Sequence, residues 1–319
     1  MPVSVQLAQL LIPLIVLLWL ALLPASGWLA LIVQSLSVAA ILLALALVGL
    51  WSLPPWWLPY VYGICFLAIM LRHGLKGLFV AHVRWAAGMP NTVLLIAGAA
   101  LGAYGVWVSS QALSGRQLPA DVDVVNIALP FGQGIYLVAH GGSHTVVNGH
   151  LRTLDTDIER YQRWRGQSRA LDIFRITPSG MHATRGLRPV EPESYATFGT
   201  PLLAPCTGKI ALAVDGFDDM PVPQMDAGNM AGNFVAIDCG DFFVILAHLR
   251  KGSMQVAEGD AVAPGDVLGE MGNSGNSSEP HLHVHAQRSL PSEFPLSGEP
   301  LALTLNGMYP VRNFRIVVP

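Results

Sequence analysis

Two fold classes are predicted in one chain: an all-helical transmembrane region over residues 1–115, then a mostly antiparallel β-sandwich over residues 116–319. Charge gives the first indication. Through residue 115 the only charged side chains are Arg72, Lys76 and Arg84, whereas all 21 acidic residues lie from Asp121 onward. The second part therefore carries 15 basic residues against 21 acidic ones, a net of −6. Hydropathy gives the second: apolar runs at 5–24, 28–52, 55–72 and 92–113 each approach the ~20 residues a helix needs to cross a bilayer. Beyond about residue 120 the pattern changes to short alternating runs punctuated by glycine, the signature of strands and turns.

Within the apolar region, Pro24 to Gly27 and Ser52 to Pro55 mark short turns, and Trp51, Trp56, Trp57 and Tyr60 suit an interfacial aromatic belt. A cleaved signal peptide is the rival reading of the first run, but it lacks a basic leader and further spans follow it. The three basic residues fall in the segment 72–91, which places that loop in the cytoplasm and everything after residue 115 outside it. With four spans the N-terminus is outside as well. Leu75, Leu78, Phe79 and Val83 recur at helical spacing beside Lys76 and Arg84, so part of this loop is expected along the membrane surface. Cys65 reads as a small apolar residue of a span, while Cys206 and Cys239 lie in the outer domain, where a disulfide between them is permitted.

In the outer domain, strands are predicted at 124–129, 135–139, 169–174, 208–214, 233–239, 242–248, 266–271 and 281–287, with a hairpin turn at Cys239-Gly240-Asp241. Segment 152–168 reads as a solvated helix or loop. The proline-bearing stretch 175–198 reads as a long loop of the kind that lines a site, with His182 in it expected to face solvent. Val256 through Gly269 has the turn-strand rhythm of lipoyl or biotinyl carrier domains, but the nearby Lys251 lies outside it, so a related sandwich without an attached cofactor is expected.

Chemistry concentrates in Pro280-His281-Leu282-His283-Val284-His285. In an extended strand these three imidazoles share one face, where they are costly to desolvate and repel one another when protonated; a metal ion removes both problems. His248 ends the apolar run Val244 to Ala247, and Asp172 interrupts the apolar run Ala170 to Phe174. A buried carboxylate costs several kcal/mol unless it is paired, neutral or metal-bound. Arg169 and Arg175 are the alternative partners for Asp172.

The run Phe198 to Pro205 followed by Gly208-Lys209-Ile210 resembles lysostaphin/LytM-type zinc metallopeptidases, as do Gly232 to Asp238, Ala247-His248-Leu249, Val256 to Gly269, Gly272 to Ser277 and Pro280 to His283. The resemblance covers about 130–290 and implies a LytM-like core there. It further implies Zn2+ held by Asp172 and His283, with His248 and His281 as the catalytic pair. The family's usual first ligand position, four residues before the aspartate, is Ser168 here. In sequences resembling this one, an Asn-x-His segment precedes Gln-x-x-Ala-Leu-Asp. Asn148-Gly149-His150 and Gln167 to Asp172 fit that pattern, which makes His150 the expected ligand; His140 and His144 are the alternatives. His285 is expected to hydrogen-bond a ligand from behind.

The implied activity is hydrolysis of peptide bonds in the peptide part of peptidoglycan, on the outer (periplasmic) side of a bacterial cytoplasmic membrane. Two other readings stand beside it: a non-catalytic LytM-like domain that binds wall or activates another hydrolase, and a peptidase of a non-wall peptide or envelope protein. The lipid bilayer is an expected partner and nucleic acid is not.

Overall fold

A computed structural model describes residues 3–23, 28–52, 54–79 and 89–319 and divides the chain into two compact units, Pro2–Leu113 and Ser114–Pro319. The predicted break at 24–27, together with Val83 and Arg84 of the proposed surface helix, lies outside the described residues.

The first unit holds four helices: α1 (Val3–Leu22), α2 (Trp28–Val48), α3 (Leu58–Phe79) and α4 (Met89–Ser114). Among the described residues, Trp28–Val48 and Leu58–Leu75 are long and apolar enough to cross a membrane, and Leu7–Leu22 is a shorter apolar helix. Helix α3 runs seven residues past the predicted end at 72, so Arg72 and Lys76 sit on a helix rather than in a connecting loop. At this level of the helix Arg72 Nη1 donates to Ala21 O at 3.1 Å and the His73 ring meets Leu20 O at 3.0 Å, satisfying carbonyls that the end of α1 leaves open. Val16, Leu17, Leu20, Val38, Trp51 and Tyr62 form the inner cluster. Gly102 and Gly105 let α4 approach α2 closely, since a Cβ on them would lie 2.7 Å from Ser37 and 2.9 Å from Ala40. Outward, Ile15, Leu29, Ile64, Leu67 and Val106 are exposed, a surface suited to hydrocarbon.

The second unit is predominantly antiparallel β. Its strands are β1 (Val124–Ile127), β2 (Gly134–His140), β3 (Leu171–Ile176), β4 (Pro201–Leu203), β5 (Gly208–Val214), β6 (Asn233–Asp238), β7 (Phe243–Leu249), β8 (Ala261–Val262), β9 (Val267–Glu270), β10 (Leu282–Gln287), β11 (Pro300–Leu305) and β12 (Arg315–Val318). Ten build one sheet, ordered β12-β2-β3-β10-β7-β6-β5-β8, with β11 pairing β10 and β1 joining β11 in parallel; β4 and β9 form a two-stranded ribbon. Alternation fixes what each face does. Leu171, Ile173, Val235, Ile237, Val244, Leu246, Leu282 and Val284 point into the main core, which Leu202, Ala204, Leu268 and Met271 of the ribbon region complete. The opposite face of the same strands carries Asp172, His283 and His285.

The 152–168 segment resolves into a 3-10 turn (Gly149–Leu154), a short helix α5 (Glu159–Gln162) and a second 3-10 turn (Arg165–Arg169). It is solvated only in part, because Gly166, Gln167 and Ser168 are buried. Strands β4, β11 and β12 and the pairing of β8 are additions to the predicted set.

Cys206 and Cys239 are disulfide-bonded, with Cα atoms 6.0 Å apart, joining the segment before β5 to the end of β6. Closing a loop of 33 residues stabilises by about 3–4 kcal/mol in the chain-entropy account. The Cys206→Ser, Cys239→Ser double variant should lose stability of that order in denaturant titration. An unchanged midpoint would show the bond to be energetically idle.

Candidate metal centre

Three adjacent strands place the centre. His283 of β10 sits opposite Asp172 of β3 on one side and opposite Ala247 of β7 on the other. Residues directly opposite in an antiparallel pair share a face with Cβ atoms about 5 Å apart, so Asp172 and His283 meet because of register alone. His248 follows Ala247 and has left the regular strand: its φ is +65°, a left-handed value that costs a non-glycine residue about 1–2 kcal/mol. Backbone bonds on both sides hold it there, from His248 N to Ala231 O and from Gly272 N to His248 O.

The glycine- and asparagine-rich loop before β10 supplies the next constraint. Gly232 and Gly275, both at positive φ, pack so closely that a Cβ on Gly275 would lie 2.3 Å from Gly232 N. That approach fixes Ser274, whose carbonyl accepts a hydrogen bond from His248 Nδ1 at 2.8 Å. His281 Nδ1 likewise donates to Glu279 O at 2.8 Å. Since a carbonyl can only accept, both rings carry their proton on Nδ1 and present Nε2 to the centre.

Asp172, 8% exposed, is the hub. Its Oδ2 lies 2.9 Å from His150 Nε2, and its Oδ1 lies 3.1 Å from His283 Nδ1 and 3.5 Å from His281 Nε2. His283 turns its other nitrogen to His285 Nδ1 at 3.0 Å, so His285 supports the ring from behind. Burial opposes ionisation of Asp172, but the His150 and His281 rings around it prevail and hold its carboxyl well below the usual range. Burial pushes His248 and His285 well below the usual imidazole value, and it lowers His283 too. For His281 burial acts in the same sense, yet Asp172 and the Glu279 carbonyl outweigh it and raise the ring.

Neither Arg169 nor Arg175 is an ion-pair partner of Asp172 among the described residues. Two donor sets converge instead, His150/Asp172/His283 and His248/His281/His283, each with ligand atoms within 4.8 Å of one another. Imidazole nitrogens gathered around one carboxylate in a largely buried site are a donor set that fits a zinc ion. His140 stands outside both sets: its Nδ1 accepts from Gly149 N at 3.0 Å. His144 caps Val146 N with its own Nδ1.

His150 reaches Asp172 through its turn. Asn148 Oδ1 accepts from His150 N, and the Thr153 hydroxyl donates to His150 O. Ser168, at the family's usual ligand position, is fully buried and has its hydroxyl 2.8 Å from Thr153 Oγ1, so it braces the turn that carries His150.

The centre opens into a cleft of about 330 Å3 whose walls include Tyr161, Trp164, Met225, Met230 and Leu296. None of these was singled out from the sequence, because wall residues on loops carry no spacing signal. His182 corrects an expectation. It is 1% exposed, with its ring 4.0 Å from that of Phe174 and 4.8 Å from that of Tyr195. Aromatic stacking from both sides draws it out of solvent. Burial lowers its pKa to about 4. The unfolded ring titrates near 6.5, so the unfolded chain takes up a proton that the folded one refuses, and stability falls as pH drops from about 6.5 towards 4. At pH 5 the loss from this ring is about 2 kcal/mol. His182→Phe should flatten the decline in urea titrations at pH 7 and pH 5; an unaltered slope would contradict it.

Residues 194–293 match the family described as Peptidase family M23. Endolysin 2638A of Staphylococcus phage 2638A is 43% identical over 63 residues, which cover 19% of this chain and 13% of the endolysin. Among solved structures, the catalytic domain of lysostaphin from Staphylococcus simulans is 23% identical, covering 39% of this chain and 71% of that one, with a TM-score of 0.26. A zinc-containing peptidase from Vibrio cholerae is 22% identical, covering 29% and 24%, with a TM-score of 0.23. Structural likeness at that level decides nothing about the site. The matched stretch contains His248, His281, His283 and His285, whereas His150 and Asp172 precede it.

Proposed function

Because residues 194–293 match peptidase family M23, we propose that this chain is a membrane-anchored zinc metallopeptidase acting on the peptide part of peptidoglycan. The observation that supports it most is the convergence of three imidazoles, His150, His281 and His283, on the buried Asp172 at the floor of an open cleft. Under this reading His150, Asp172 and His283 are the zinc ligands. When bound, the ion supplies Lewis acidity towards the scissile carbonyl and acidifies an attacking water.

The protein's own part lies with His248 and His281. Each is held by a carbonyl on Nδ1 and turns Nε2 to the cleft; burial keeps the His248 ring neutral, the state a general base needs, whereas Asp172 raises the His281 ring and suits it to hold a proton. Once protonated, the same nitrogens can donate to the oxygen that gains charge as the carbonyl is attacked. His285 fixes the His283 ring from behind.

Two features support the location. The Cys206–Cys239 disulfide suits an oxidising compartment outside the cytoplasm. The outward apolar surfaces of α1 to α4 suit lipid, and under the four-span reading each helix crosses the bilayer. To test the activity, the full chain in detergent is incubated with purified peptidoglycan, with and without a zinc chelator. Release of peptide fragments that stops with chelator and returns with zinc is expected. Zinc-loaded protein that releases none, while cleaving an unrelated peptide, would move the substrate away from the wall.

A further inference from the structure

One buried cation has no part in the chemistry above. Arg312, 8% exposed, lies in the turn between β11 and β12, beyond the family match at 194–293. Its Nε donates to Val147 O at 2.9 Å and its Nη2 lies 3.2 Å from His140 Nδ1. The same His140 nitrogen accepts from Gly149 N at 3.0 Å. Two donors on one ring nitrogen leave it without a proton, so the His140 ring acts as an acceptor clamp for the 147–149 backbone.

The clamp is itself fixed. The Arg312 turn is tied to β2, with Asn313 N donating to Val138 O and Val138 N donating to Phe314 O. Pairing of β2 with β3 shifts by a bulge between Val138 and His140, and His140 stands opposite Asp172. Bulges re-aim the side chain that follows them. One rigid assembly therefore connects Asp172, across β2, to the turn that carries His150.

We propose that Arg312 and His140 are positioning residues for a divalent cation: together they hold the 147–150 turn so that His150 faces Asp172 and His283. This rests on the zinc reading above. The C-terminal turn thereby becomes part of the metal site although no residue in it reaches the metal.

Zinc affinity is the readout, measured by chelator competition on the full chain in detergent, with the absorption spectrum of the cobalt-substituted protein reporting ligand geometry. Arg312→Met should weaken zinc about 10–100-fold, the usual effect of losing a group that orients a ligand, and should alter the cobalt bands. His140→Leu should do the same. His140→Asn, whose amide oxygen restores an acceptor where Nδ1 stood, should recover most of the affinity. If Arg312→Met does not fold, the His140 pair decides alone. Affinity and cobalt spectrum equal to wild type in folded His140→Leu and Arg312→Met would overturn the proposal while leaving the zinc reading intact. Wild-type protein that takes up no zinc would overturn both.

Discussion

Asp172→Ala abolishes zinc retention by the full chain and lowers peptide hydrolysis at least about 10^3-fold. The carboxylate receives His150, His281 and His283, and no other acidic side chain belongs to either donor set among the described residues. Its removal leaves imidazoles facing one another with nothing between them to favour a cation. Asp172→Asn preserves the shape and a carbonyl oxygen but removes the charge, so its zinc affinity should fall between wild type and Ala. Metal analysis after dialysis against a weak chelator is the measurement. One zinc per chain retained by Asp172→Ala would refute the assignment of this residue as a ligand.

His281→Ala behaves differently: the chain keeps about one zinc, and kcat falls about 10^2–10^4-fold with KM little altered. The ring touches Asp172 only at 3.5 Å, farther than His150 or His283, and its Nδ1 is taken by Glu279 O. It can therefore leave without emptying the first donor set. His248→Ala should fall in the same range, and the double variant should lose much less than the product of the two, because the rings act on one proton-transfer sequence. Loss of zinc on His281→Ala would instead make it a ligand and move the catalytic burden to His248.

Acid should erode metal binding. Each ligand imidazole must be neutral to bind, so protons compete with zinc for the nitrogens and zinc retention, measured by chelator competition along a descending pH series, should fall with acid.

How much of this was legible in the sequence varied with the physics of each element. Strands β5, β6, β7 and β10 alternate or run apolar between clear turn residues, and the register of β10 against β3 then dictates that Asp172 and His283 meet. Strand β11, Pro300-Leu301-Ala302-Leu303-Thr304-Leu305, is buried along its whole length, so it lacks the one-sided alternation that marks a strand. His150 could be chosen only through the family resemblance, because its approach to Asp172 depends on a turn held by Asn148, Thr153 and buried Ser168. His182 was misjudged because a polar residue among prolines and glycines gives no hint of the Phe174 and Tyr195 rings that enclose it. Arg312 has no local signal at all, since its partners are 165 and 172 residues away.

Asp172 and His150 precede residue 194, while His248, His281 and His283 follow it. The matched stretch is consequently not a portable cassette. Grafted elsewhere without β2, β3 and the 147–150 turn, it would carry the histidines that the proposed reading assigns to proton transfer and one of its ligand rings, without Asp172 to anchor the charge. Any shuffling of this domain between proteins has to move both halves of the centre together to keep both donor sets.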